Sequence, residues 1–258
     1  MCVYAFAINP NEKYKFVLIG NRDEFYERES IPAHFWKDFP DILAGKDKKA
    51  GGTWLGINKN NGKIAFLTNY RDPKKFDSQK ASRGLIVRNF LTSPASIQRF
   101  LIDFYAMQSA YNPFNLIFGT VDNLFYYSNV IGGLKNLTKG VYTLSNAFLD
   151  TNWYKTEKLK SYLLKILQNQ NIDINEVFRC LEDKEKADDS LLPDTGVGYE
   201  KEKLLSSIFI ESETYGTVFS YFILIDSKSN VSFYEKDQLN NKISEFKFQI
   251  KISKDNKS

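Results

Sequence analysis

An alternating apolar run opens the chain, Cys2-Val3-Tyr4-Ala5-Phe6-Ala7-Ile8, and a second run, Tyr14 to Gly20, follows the turn-forming stretch Asn9-Pro10-Asn11-Glu12. Two short apolar runs on either side of a turn cluster predict a β-hairpin. Antiparallel pairing about that turn sets the start of the first strand against the end of the second, so Cys2 falls beside Gly20, Asn21 and Arg22. A thiol, a guanidinium and the carboxylates of Asp23 and Glu24 are thereby gathered at one end of a sheet.

Such a cluster suits attack by an N-terminal thiol. Cys2 is small enough for the initiator Met to be removed, which leaves an α-amine on the same residue as the sulfur. That amine titrates at about 7.7–8.0 and a free thiol at about 8.5, so the amine is a built-in base near neutral pH. Arg22 favours the thiolate through its fixed charge, and Asp23 holds the amine or the guanidinium by charge-assisted hydrogen bonds. The alternative is structural: Cys2 as a small buried hydrophobe at a strand start, and Arg22-Asp23-Glu24 as a solvated turn.

The 258 residues, 43% apolar, predict one α/β or α+β domain with a substantial core over residues 1–252 and a flexible tail over 253–258. The 35 basic residues are scattered among 31 acidic ones for a net charge of +4, which argues against a nucleic-acid patch or a membrane-binding face. Two distant cysteines, Cys2 and Cys180, make no disulfide framework and suit a reducing compartment. Without a signal-peptide pattern, and with apolar runs of strand length, the expectation is a soluble cytoplasmic protein with no membrane span. Nothing in the sequence fixes the oligomeric state.

Glu27 to Lys49, punctuated by Pro32 and Pro40, reads as a long loop carrying the sole histidine, His34. With no second histidine, no zinc or iron site is expected, although His34 as a lone haem ligand stays open. Strands are predicted over Thr53–Asn58 and Ile64–Asn69 about an Asn61-Gly62 turn. Further strands are Phe114–Thr120, Leu124–Ser128, Val141–Ser145, Ser206–Glu211, Val218–Asp226, Val231–Glu235 and Ile243–Ile252. Helices begin at Ser82 and at Ser93-Pro94, and cover Trp153–Gln170 and Ile174–Glu182. Cys180 shares a helix face with Val177 and Leu181, as an inert core thiol does. Gly51-Gly52 lacks the Lys-Ser/Thr step of a phosphate loop and reads as close backbone packing.

Ordered short motifs add a resemblance. Gly20-Asn21-Arg22-Asp23-Glu24-Phe25 behind Met1-Cys2, Ala50-Gly51-Gly52-Thr53-Trp54-Leu55-Gly56, Leu67-Thr68-Asn69-Tyr70-Arg71, Ser82-Arg83-Gly84, Leu144-Ser145-Asn146-Ala147, Leu192-Pro193-Asp194-Thr195-Gly196 and Tyr215-Gly216-Thr217 resemble the NRDE family, also called the transport and Golgi organisation 2 family. The resemblance implies an α+β, four-layer αββα sandwich of the N-terminal-nucleophile hydrolase type, two antiparallel sheets between helical layers. The stretch from Gly56 to Tyr70 is also similar to the segment of choloylglycine hydrolases and penicillin V acylases that supplies an oxyanion-hole Asn, here Asn69; Asn146 matches another Asn of that site. By resemblance the catalytic set is Cys2, Arg22, Asp23, Asn69 and Asn146, with Asn21, Glu24, Trp54, Arg71 and Arg83 as substrate contacts and no metal. Asn69 as a strand-ending residue and Arg83 as a surface ion pair are the structural alternatives.

Two departures stand out: Val218 where the family usually has Arg after Tyr-Gly-Thr, and no counterpart in Leu205 to Ile210 of the last Arg of choloylglycine hydrolases. The function so implied is cleavage of a C–N amide bond in a small molecule, with no cofactor required. One alternative is a carrier holding haem or an acyl-lipid metabolite as cargo, for which family analogy adds a mitochondrial address; another is an interaction protein with a vestigial site.

Overall fold

The opening hairpin forms as its two apolar runs predict. In the computed structural model, which describes residues 2–169 and 172–251, β1 (Cys2–Ile8) pairs antiparallel with β2 (Tyr14–Phe25), Cys2 opposite Arg22 and Tyr4 opposite Gly20. The pleat sends Cys2, Tyr4, Phe6 and Ile8 to one face and Val3, Ala5 and Ala7 to the other, and both faces are covered. A strand buried on both sides belongs in the middle of a layered fold.

That hairpin lies in a six-stranded antiparallel sheet of order β10-β1-β2-β11-β12-β13, with β10 (Gly140–Leu144), β11 (Tyr215–Asp226), β12 (Asn230–Asp237) and β13 (Lys242–Gln249). The second sheet runs β3 (Ser30–Phe35), β4 (Ile42–Asp47), β5 (Leu55–Asn58), β6 (Lys63–Asn69), β7 (Phe114–Thr120), β8 (Asn123–Ser128) and β9 (Leu134–Leu137) in chain order. Its outer face packs on α1 (Gly84–Thr92) and α2 (Ile97–Met107). The first sheet's outer face packs on α3 (Tyr154–Gln168) and α4 (Ile174–Leu181). Three apolar cores follow, one between the sheets and one under each helical pair, which is the four-layer αββα sandwich. Among the described residues no helix is long and apolar enough to cross a membrane.

Several local expectations are corrected. Residues 27–49 are not a loop: they hold β3 and β4, and Pro32 is tolerated because β3 is an edge strand whose register slips between Ile31 and His34. The second helix starts three residues later than Ser93-Pro94 implied, because Ser96 supplies the cap, accepting from the Arg99 N–H at 3.2 Å. Ser206–Glu211 is not a strand; the Phe209 and Ile210 N–H groups go to the Asp183 carbonyl and the Thr217 hydroxyl instead of a ladder. β9 and α5 (Tyr199–Leu204) went unforeseen, and Cys180 is only partly buried. Gly51-Gly52 is the close approach expected, since a Cβ on Gly52 would collide with the Gly84 carbonyl. Met1, Gln170, Ile252 and the tail expected over 253–258 lie outside the described residues.

Candidate functional site

The start of β1, the end of β2, the loop before β5, the end of β6 and the first turn of α1 enclose a cavity of about 510 Å³. Its wall includes Cys2, Arg22, Glu24, Trp54, Asn69 and Arg83. Six of the ten residues singled out from the sequence thus meet around one space, of the size that small-molecule sites have.

Cys2 sits at the floor, 4% exposed. Burial pushes its thiol above the ordinary range, and Asp23 adds to that, while the Tyr4 hydroxyl and Arg22 oppose it. Its carbonyl accepts from the Ser145 hydroxyl at 3.3 Å, tying β1 to the end of β10. Arg22, directly across the ladder, lies flat on Trp54, its guanidinium carbon 3.9 Å from the ring centroid. Trp54 is fixed in turn by stacking on Phe219 (centroids 5.7 Å apart) and by donating its Nε1–H to the Tyr221 hydroxyl at 2.9 Å. Glu24 pairs with Arg22 at 3.5 Å. Burial works to raise its carboxyl, yet Arg22, Arg28 and the Phe25 N–H hold it below the ordinary carboxylate range.

Asn69 ends β6, and among the described residues nothing hydrogen-bonds its side-chain amide, which is left to the cavity. Asn146 does not reach the wall; its Nδ2 donates to the Asn69 carbonyl at 2.9 Å, and its own carbonyl accepts from the Arg71 N–H at 2.8 Å. Its geometry is that of a residue positioning Asn69. A β-bulge in β11 at Val218 lies opposite Arg22 and Asp23 and turns Thr217 so that its hydroxyl donates to Asp23 Oδ1 at 2.8 Å. Val218 itself is buried in the inter-sheet core.

Three residues take other positions. Asn21 faces the helical layer, its Nδ2 donating to the Leu181 and Ile208 carbonyls at 2.8 and 3.0 Å. Asp23 shares that face, behind the thiol. Arg71 is buried against Glu202 at 2.7 Å and over Trp153, on the wall of a separate small crevice. His34 lies on β3, its Nδ1 at 2.8 Å from the Pro32 carbonyl, and does not line the large cavity. Among the described residues no group of three His, Cys, Asp or Glu is placed to hold a metal ion.

Sequence reasoning missed two charged residues of this neighbourhood. Lys155 is 1% exposed and, among the described residues, nothing hydrogen-bonds its Nζ; burial and Arg71 push its ammonium down to about 8, against the pull of Asp23 and Cys2. The signal was there: Lys155 shares the inward stripe of α3 with Leu159, Leu163 and Ile166. Glu235, on the face of β12 that sends Val231 and Phe233 into the inter-sheet core, accepts from the Ala33 N–H at 2.7 Å. Burial raises its carboxyl to about 7, opposed by that N–H and by the Tyr221 hydroxyl. A line of contacts thus runs from Glu235 through Tyr221 and Trp54 to Arg22.

Comparison with known proteins places this geometry. The family model described as Transport and Golgi organisation 2 matches residues 1–240. The Transport and Golgi organization protein 2 homolog of Homo sapiens is 34% identical over 267 residues, covering 95% of each chain. The Mus musculus homolog is 32% identical, over 93% of this chain and 94% of the relative. The Drosophila melanogaster protein 2 of the same name is 28% identical, over 92% of each.

Proposed function

The chain belongs to the Transport and Golgi organisation 2 family, and from that premise we propose that its large cleft is the site of an N-terminal-cysteine amidohydrolase acting on a C–N bond of a small molecule. The observation that carries the reading is the placement of Cys2 on the cleft wall, opposite Arg22 in the ladder, with an Asn69 amide left to the same cavity. A buried thiol with a raised pKa is a poor nucleophile by itself and needs a base. Removal of Met1 supplies one as the Cys2 α-amine, which Asp23, fixed by Thr217, anchors.

The thiol proton passes to the α-amine as Sγ attacks the amide carbonyl carbon, and the Asn69 amide donates to the resulting oxyanion. Collapse breaks the C–N bond, the departing amine takes the proton back, and an acyl thioester remains on Cys2. Water then cleaves the thioester to a carboxylic acid and restores the thiol.

Intact mass of untagged protein tests the premise: loss of one Met is expected. The Cys2→Ala variant is then expected to lose all hydrolysis of any amide the wild type turns over, and unchanged turnover ends this reading. One observation favours a second reading, carriage of haem or an acyl-lipid metabolite without turnover: Val218 places an apolar side chain where family members usually carry Arg. Retained Met1, together with saturable binding that survives Cys2→Ala, is the outcome that reading expects.

A further inference from the structure

The charges on the cleft wall do not balance. Glu24 is engaged by Arg22 and Asp47 by Arg28, the latter pair at 2.7 Å, which leaves Arg83, Lys49 and Lys80 facing Asp77. Arg83 is the cation held in place. It stands at the N-cap of α1, its Nη1 donates to the Pro113 carbonyl at 3.1 Å, and among the described residues no carboxylate pairs with it. Burial pushes its guanidinium down to about 10, while Glu24 and Cys2 pull the other way. No side chain caps α1; its Leu85 and Ile86 N–H groups donate to the Ser82 and Arg83 carbonyls at 3.1 and 3.0 Å, and Ser82, Arg83 and Gly84 line the cavity. Arg22, on the same wall, has its side chain 5% exposed and is paired with Glu24, so it is not the cation left over. A partly buried guanidinium with no carboxylate partner gains from a charge-assisted hydrogen bond to an anionic acceptor on a ligand.

The geometry points to an oxyanion subsite on the cavity that Cys2 also lines, in which Arg83 binds a carboxylate or phosphate group of the ligand. The guanidinium fork suits either group. This deepens the reading of the cleft as the ligand site, and its test needs neither turnover nor removal of Met1.

Alkylation of Cys2 by iodoacetate and by iodoacetamide, read by peptide mass to separate it from Cys180, measures the subsite, because the ratio of the two rates cancels the thiolate fraction. The folded wild type is expected to show a ratio about tenfold above that of the urea-unfolded chain, one well-placed charge pair being worth about 1.4 kcal/mol. Arg83→Gln should return the ratio towards the unfolded value, and Arg83→Lys should retain part of it. In parallel, at matched ionic strength, succinate or inorganic phosphate should raise the wild-type melting temperature relative to chloride, and whichever does so names the group. A folded ratio no higher than the unfolded one, a ratio unmoved by Arg83→Gln, or no thermal response to either anion overturns the proposal. Intact anion responses beside failed amide turnover would retain the subsite and discard the hydrolase.

Discussion

At the scale of single residues, the site is defined by groups whose protonation the fold has displaced. Glu235 is the clearest. Its carboxyl is raised from 4.5 to about 7 in the folded chain, so the native state binds the extra proton between those values and stability falls as pH rises through that window. A displacement of that size corresponds to a stability loss on the order of 3 kcal/mol between pH 5 and 8. Urea midpoints of the wild type should fall over that range, and Glu235→Gln should flatten the fall; an unaltered slope would remove Glu235 as its source. Cys2 is displaced in the same sense by burial, which is why Arg22 matters. Replacing Arg22 by Gln removes a cation that favours the thiolate, and should slow alkylation of Cys2 at pH 7.5, while an unchanged rate would show that Arg22 does not act on the thiol.

Elements, at the next scale, hold these groups by their ends. β1 meets β10 through Ser145 and the Cys2 carbonyl, and β6 meets the segment after β10 through Asn146 and the Asn69 carbonyl. Asn146→Ala leaves that carbonyl without its side-chain donor, and should cost about 1–3 kcal/mol in urea unfolding. The position of Asn69 was legible from sequence because a strand pattern ends there next to an Asn-Gly hairpin. That Asn146 supports Asn69 instead of lining the cavity was not, since alternation assigns a face and not a partner. Asn21 shows the same limit. The hairpin puts it at the Cys2 end as expected, opposite Val3, but its face belongs to α4 and the 206–210 segment, which lie more than 150 residues further along the chain.

For the whole molecule, the cleft exists because two sheets are clamped at a shared core. Phe66 of β6 packs edge-on against both Tyr4 and Phe6 of β1, with centroids 5.1 and 5.2 Å apart. It joins the sheets two residues from Cys2. Phe66→Ala is expected to lose about 3–5 kcal/mol of unfolding free energy. The same change should alter the rate of Cys2 alkylation under conditions where the variant is still folded; an unchanged rate would mean that the core does not set the geometry of the floor.

The amino-acid sequence by itself determined the first hairpin and the gathering of Cys2, Arg22, Asp23 and Glu24 at one end, because two short apolar runs about a local turn leave little choice. It also carried the motifs by which the family is identified. Only the tertiary structure decided what faces that end: Trp54 under Arg22, Arg83 on the same cavity, Lys155 behind the thiol, and Glu235 at the end of a line of contacts. Each depends on β11 docking beside β2 and on α1 and α3 covering opposite outer faces. Those contacts join residues distant in the chain, through burial and charge, and no local period encodes them.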